Sequence, residues 1–182
     1  VVGNCGISAS PVTLTGEVPD PMNLLGKPED FRYPSFSAYA NAVDAAAPSI
    51  NVAALVGHTS LRSQVMDSFS RPASDDEIAT MEVLLRQALD EGALGLSSGL
   101  AYRNAIHAPT AEMAPLVAAV GQSGGVYTTH LRDEFAGLLD AMDEAFATAR
   151  NGQVPLVISH LKCAGAGNWG GAGKALSKLE AA

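Results

Sequence analysis

Apolar residues fall in short bursts between turn signals, and strand-like and helix-like spacings alternate along the chain. Val1-Val2-Gly3-Asn4-Cys5 is a short β-prone run broken by Gly6. Residues 8 to 34 carry Pro11, Pro19, Pro21, Pro28 and Pro34 and predict a long irregular segment, the kind usually functional or inserted. Phe36 to Ala47 is Ala-rich and predicts a helix stopped by Pro48. Val52-Ala-Ala-Leu-Val56 is a continuous apolar run ending in Gly57-His58, which predicts a buried strand. Ser74-Asp75-Asp76-Glu77 has the form of a capping box, in which the serine accepts from first-turn N–H groups and the glutamate reaches back. Behind it Ile78, Met81, Leu84, Leu85, Ala88 and Leu89 recur at helical spacing until Gly92.

The alternation continues to the end. Ala93 to Leu96 predicts a strand ending in Ser97-Ser98-Gly99, and Pro109 to Val120 a helix broken by Gly124-Gly125. Val126 to Thr129 predicts a strand ending in His130-Leu131-Arg132, and Leu138 to Arg150 a helix stopped by Asn151-Gly152. Pro155 to Ser159 predicts a strand ending in His160-Leu161-Lys162, and residues 174 to 182 read as a further helix. Five strands alternating with four helices imply a parallel α/β sheet with right-handed crossovers. A doubly wound sheet and part of a (β/α)8 barrel both satisfy that pattern. No G-x-G-x-x-G follows a strand, which disfavours dinucleotide binding.

Composition narrows the field of partners. The hydrophobic share of 47% against 16% charged residues is that of a chain with a real core. A net charge of −8, with Lys and Arg scattered, lacks the basic footprint that nucleic acid or an anionic membrane requires. No apolar run is long enough to span a bilayer, and no signal peptide is visible. Two distant cysteines suit a reducing compartment better than a disulfide scaffold, so the expected location is cytoplasmic.

In a parallel α/β fold the side chains at strand C-terminal ends converge on one face, where active sites sit. Here those positions hold Cys5, His58, Ser97, Ser98, His130 and His160. His130 and His160 lie one βα period apart, each followed by Leu and a basic residue. In the same register on adjacent strands, about 4.8 Å apart, they come within reach of one ion. Cys5 could face them across the mouth, and thiolate and imidazole are good zinc ligands. A single histidine at a strand end is more often structural, and spacing alone supplies no C-x-x-C or H-E-x-x-H motif. Cys163 reads as a small residue packed near the rim, His107 as a loop residue, and His58 as a supporting or packing residue. Arg132 and Lys162 project toward the same mouth, either as solvated charges or as captors of a substrate carboxylate. Asp133-Glu134 reads as a cap for the next helix.

Five segments together resemble the D-aminoacylase (N-acyl-D-amino-acid deacylase) family of the amidohydrolase superfamily. They are Gly3-Asn4-Cys5-Gly6-Ile7-Ser8, Gly57-His58-Thr59-Ser60-Leu61-Arg62, Glu91 to Leu100, Thr129-His130-Leu131-Arg132-Asp133-Glu134 and Ser159-His160-Leu161-Lys162. The resemblance implies a partial (β/α)8 TIM barrel, about strands two to six, with residues 1–182 as one catalytic-barrel fragment and Zn2+ at its mouth. It implies that Cys5, His130 and His160 hold the metal, that Cys5 replaces the carbamoylated lysine of many relatives, and that Lys162 and Arg132 lie near the substrate end. The implied reaction is hydrolysis of the amide of a small N-acyl-D-amino acid to a carboxylate and a free D-amino acid. A dihydroorotase-like or hydantoinase-like cyclic-amide hydrolase, and a non-catalytic barrel fragment acting as a binding module, are the competing expectations. The family's His-x-His pair and its general-base Asp match nothing here, so they are expected outside this chain, and the isolated piece is expected to be inactive.

Overall fold

A computed structural model describes residues 1–182. An antiparallel pair, β1 (Val12–Thr13) and β2 (Arg32–Tyr33), closes the proline-rich segment, which packs its own small core of Val12, Met22 and Phe31. α1 (Phe36–Ala46) follows and rests on α3 (Asp75–Asp90). The main sheet is parallel and four-stranded, in the order β3 (Leu55–Gly57), β4 (Gly95–Gly99), β5 (Val126–His130), β6 (Leu156–Ile158). Between its strands run α2 (His58–Val65) and α3, then α4 (Thr110–Gln122), then α5 (Leu138–Gly152), and α6 (Ala172–Glu180) follows β6. The parallel α/β expectation therefore holds, with no helix long and apolar enough to cross a membrane.

Local chemistry accounts for most of these boundaries. The capping box forms as its sequence predicts: Ser74 Oγ accepts from the Glu77 N–H at 3.3 Å, and Glu77 Oε2 accepts from the Ser74 N–H at 2.8 Å. The helical repeat behind it buries Met81, Leu85, Ala88 and Leu89 in a core shared with Val56, Leu96, Leu116, Val117, Val120 and Tyr127. α4 and α5 approach closely at Gly121 and Gly152: a Cβ on Gly152 would stand 2.7 Å from Val117 Cγ1. Such a contact requires small residues, since overpacking a helix interface costs roughly 1–3 kcal/mol.

Two expectations change. The first run, Val1 to Cys5, does not continue as a strand. It makes one parallel bridge, Val2 to Ala54, and then turns at Gly3 and Cys5, both with positive φ. α2 begins on the residue directly after β3, where no helix is foreseen. Its buried residues are His58, Thr59, Ser60, Leu61 and Arg62, so it carries no apolar periodicity to read.

Candidate metal centre

The C-terminal ends of β5 and β6 and the turn after Val2 meet at one place. His130 is the last residue of β5, and His160 lies two residues beyond β6. One ligating atom each from Cys5, His130 and His160 can be chosen so that all three lie within 4.8 Å of one another. Cys5 Sγ is 3.4 Å from His160 Nε2. Two donors on a tetrahedral zinc, at bond lengths near 2.3 and 2.05 Å, stand roughly 3.5 Å apart, so this pair has the required span. The donor set of one sulfur and two imidazoles is that of a borderline-soft divalent ion, and it fits zinc.

The backbone is strained at two of these three positions. Four non-glycine residues have positive φ: Cys5 (56°), Ala47 (47°), Gln153 (52°) and His160 (39°). Ala47 and Gln153 are ordinary left-handed helix C-caps. Cys5 and His160 terminate no helix, and a strained non-glycine backbone clusters at functional sites. Gly6, beside Cys5, has φ +81°, and a Cβ there would lie 2.7 Å from the Gly99 amide nitrogen. The turn is locked further by Ser97 Oγ, which accepts from the Gly6 N–H at 3.0 Å. Ser97, foreseen only as a strand-end polar residue, thus seats the loop that carries Cys5.

Electrostatics suit a cation. Burial lowers the His130 pKa, with the Glu134 carboxylate pulling the other way and His160 and Lys162 adding to the fall. The ring is therefore neutral near pH 7, the form that ligates metal. Burial raises the Cys5 thiol pKa, Tyr102 lowers it by hydrogen bonding, and Glu134 raises it again. The charge of a metal held there would favour the thiolate form of a coordinating cysteine. Tyr102 Oη lies 3.1 Å from His130 Nδ1, and burial together with the neighbouring Cys5 pushes its phenol up to about 12. It stays a neutral O–H group at the edge of the cluster.

The basic residues divide. Lys162 reaches the cluster: its Nζ contacts the Glu134 carboxylate and lies 3.1 Å from His160 Nδ1, with the side chain half exposed. Arg132 is committed elsewhere, against the expectation of a free guanidinium at the mouth. Its Nε and Nη2 donate to Glu144 at 2.9 and 2.8 Å, while Nη1 and Nη2 donate to the Ile106 and Ala108 carbonyls at 2.9 and 2.8 Å. With four of its five donors engaged, it braces the segment before α4 against α5.

Glu134 also departs from expectation. The cap of the turn into α5 is Asp133, which accepts from the Phe135 and Gly137 N–H groups at 2.6 and 3.1 Å. Glu134 instead points its carboxylate at His130, His160 and Lys162. The four-residue spacing from His130 was visible, but outside a helix that spacing carries no directional meaning. Tyr102 was missed for the same reason: it sits in an irregular turn after β4, and only the fold brings it to the histidine.

The other expected residues are structural. His58 is wholly buried, and its Nε2 lies 2.8 Å from Glu112, outside the Cys5–His130–His160 cluster. Cys163 is partly buried against the α5–α6 core, and His107 is an exposed turn residue.

Comparison with known proteins identifies the setting. No protein-family profile matches the chain. The D-aminoacylase of Alcaligenes xylosoxydans xylosoxydans is 39% identical over 182 residues, which is all of this chain and 37% of the relative. The N-acyl-D-aspartate deacylase of the same organism is 42% identical over 183 residues, again all of this chain and 36% of the relative. Among solved structures, a D-aminoacylase described as defining a novel subset of amidohydrolases is 42% identical with a TM-score of 0.95, covering 98% of this chain and 38% of its own. The N-acyl-D-glutamate deacylase of Bordetella bronchiseptica, solved with zinc and a phosphonate mimic of the tetrahedral intermediate, is 37% identical with a TM-score of 0.91, over 98% and 37%. The chain spans little more than a third of the length of these relatives. With its full length aligned to such proteins in both sequence and fold, the chain belongs to the D-aminoacylase (N-acyl-D-amino-acid deacylase) family of amidohydrolases.

Proposed function

We propose that this chain forms part of a (β/α)8 barrel and supplies the zinc site of an enzyme that hydrolyses N-acyl-D-amino acids. The carrying observation is the approach of Cys5, His130 and His160 to within 4.8 Å, where the C-terminal ends of β5 and β6 meet the turn after Val2. Relatives named for deacylation of D-amino acids, D-aspartate and D-glutamate favour this reading over cyclic-amide hydrolysis. Cys5, His130 and His160 hold the metal. When bound, zinc would supply Lewis acidity, which polarises an amide carbonyl and lowers the pKa of water to about 7.

The remaining groups bind and orient. Lys162, half exposed beside the cluster, offers its ammonium to the substrate carboxylate. Tyr102 presents a phenol to the same face. Glu134 is not assigned as general base, because its carboxylate is already engaged by Lys162 and His160, with His130 Nε2 3.3 Å away.

The test uses the full-length protein. Zinc is measured by elemental analysis for Cys5→Ala, His130→Ala and His160→Ala, and turnover with paired N-acyl-D- and N-acyl-L-amino acids. Each substitution is expected to lower bound zinc, and only the D enantiomer to be hydrolysed. Unchanged zinc in all three variants defeats the metal assignment, and equal turnover of both enantiomers defeats the D-specific reading.

A further inference from the structure

Cys5 holds a left-handed φ of 56° in a segment that runs beside the first residues of α2. A strained non-glycine backbone persists only where its surroundings over-determine it. Before Cys5 the chain is held at Val2, whose carbonyl accepts from the Leu55 N–H at 3.0 Å. After Cys5 the contacts pass to α2. The Gly6 carbonyl accepts from the Thr59 N–H at 2.8 Å and from the Ser60 N–H at 3.4 Å. The Ser8 N–H donates to Ser60 Oγ at 2.8 Å, and Ser60 Oγ donates back to the Ser8 carbonyl at 3.1 Å. Ser8 Oγ accepts from the Gly57 N–H at 2.9 Å and donates to the Ser10 carbonyl at 2.7 Å. Both serines are buried.

We propose that Ser8 and Ser60 are positioning residues: they fasten the Cys5 turn to the first turn of α2, so that the turn serves as the N-terminal cap of α2 and α2 fixes where the thiol points. The proposal rests on the metal-site reading given above and adds a role for two residues outside the ligand set. The dependence is reciprocal. The first N–H groups of a helix have no partner within it, and Gly57, at the N-cap of α2, has no side chain to fill them. The segment that carries Cys5 receives the N–H groups of Gly57, Thr59 and Ser60 instead.

Hydroxyl chemistry leaves the pair little freedom. A serine side chain has one O–H and two lone pairs. With a backbone N–H on a lone pair, each hydroxyl sends its hydrogen to a carbonyl, Ser60 to Ser8 and Ser8 to Ser10. Ser60→Ala strips both of those partners from the buried Ser8 backbone, and an unpaired buried donor is costly enough to drive the segment toward water. Packing closes the alternative paths: a Cβ on Gly57 would stand 2.5 Å from the Gly6 carbonyl oxygen. A segment released here carries Cys5 Sγ away from its 3.4 Å approach to His160 Nε2. Glu112 provides the contrast, because it steadies α2 through His58 and Arg62 and hydrogen-bonds neither Gly6 nor Ser8.

The experiment compares full-length wild type, Ser60→Ala, Glu112→Gln and Cys5→Ala. Zinc affinity is read by competition with a chelator, and backbone amide exchange with and without zinc. Zinc affinity is expected to be about 10–100-fold weaker in Ser60→Ala. Glu112→Gln should lower α2 protection and still bind zinc as wild type does. In wild type, zinc at about 100 times its dissociation constant should slow exchange of the Thr59 and Ser60 amides by up to about a hundredfold, and leave α1 unchanged. Wild-type affinity in Ser60→Ala, with zinc lost from Cys5→Ala, overturns the role of the serines and leaves the metal site standing. An equal loss of affinity in Ser60→Ala and Glu112→Gln overturns it as well, since the stability of α2 alone then accounts for the effect. Zinc affinity unchanged in Cys5→Ala overturns the metal-site reading itself. Should Ser60→Ala fail to fold, wild-type exchange decides: Thr59 and Ser60 amides indifferent to bound zinc refute the proposal.

Discussion

Replacing Glu112 by Gln should loosen α2 from the sheet while leaving the Cys5–His130–His160 cluster in place. Glu112 lies on α4 with no exposed side-chain surface, and its Oε1 accepts from His58 Nε2 at 2.8 Å and from Arg62 Nη1. Its Oε2 accepts from the Ala73 N–H at 3.0 Å. Burial pushes the Glu112 carboxyl up, but hydrogen bonds from His58 and Arg62 outweigh it and hold the pKa at about 2, against an ordinary 4.5. That difference corresponds to about 3 kcal/mol at neutral pH. An independent scale agrees: breaking a buried charge pair by removing one partner costs about 3–5 kcal/mol. The reason is the stranded partner. In Glu112→Gln the fully buried Arg62 loses its counter-charge, and one amide oxygen cannot serve His58, Arg62 and the Ala73 N–H as two carboxylate oxygens do; the Arg71 carbonyl, at 2.9 Å, is the acceptor left unchanged. Native-state hydrogen exchange of the full-length protein reads this locally. Amide protection in α2 should fall roughly a hundredfold at pH 7, with β5 protected as before. In wild type the Glu112 contribution is complete above about pH 4.5 and is lost as pH falls toward 2. His58 sets an earlier step: burial lowers its pKa from 6.5, so its contribution is whole above that pH and declines below it. Wild-type α2 protection retained in Glu112→Gln at pH 7 would refute the reasoning.

Other substitutions separate positioning from chemistry. Arg132→Lys cannot reproduce the bidentate grip on Glu144 or reach both carbonyls, and should cost about 1–3 kcal/mol in urea unfolding with KM nearly unchanged. Lys162→Ala should do the reverse, raising KM for N-acyl-D-amino acids, so a raised KM only in Arg132→Lys would reverse these roles. Gly6→Ala places a Cβ against the Gly99 amide at a left-handed φ, costing about 1–2 kcal/mol in backbone strain alone. It should lower zinc content, and a normal zinc load would show that the turn tolerates the change. Ser74→Ala removes half of the capping box and should destabilise α3 by about 1 kcal/mol, read from the exchange of its first-turn amides.

The sequence by itself determined what rests on periodicity and local caps. α3, α4 and α5, the alternation with β3 to β6, and the parallel sheet were legible because apolar spacing and turn residues act over a few positions. His130 and His160 were legible as polar residues at the ends of neighbouring strands, but the expected equal register does not hold: Thr129 pairs with Ile158, so His160 lies one residue beyond the position level with His130, in a turn of positive φ. Cys5 rested on resemblance, since nothing local in Gly3-Asn4-Cys5-Gly6 says where the turn points. Tertiary structure alone decided that it points at His160, through a strained backbone held down by Ser97 and by the close approach of Gly6 to Gly99. It alone revealed α2, whose buried face is polar and whose His58 and Arg62 side chains pair with Glu112, 54 and 50 residues away. It also exchanged the roles read for the charged residues after β5. Arg132 became a brace, Asp133 the acceptor that closes the turn before α5, and Glu134 the carboxylate beside both histidines. Charge and spacing are the same in either assignment, and only the directions of the side chains, set by packing between distant segments, distinguish them.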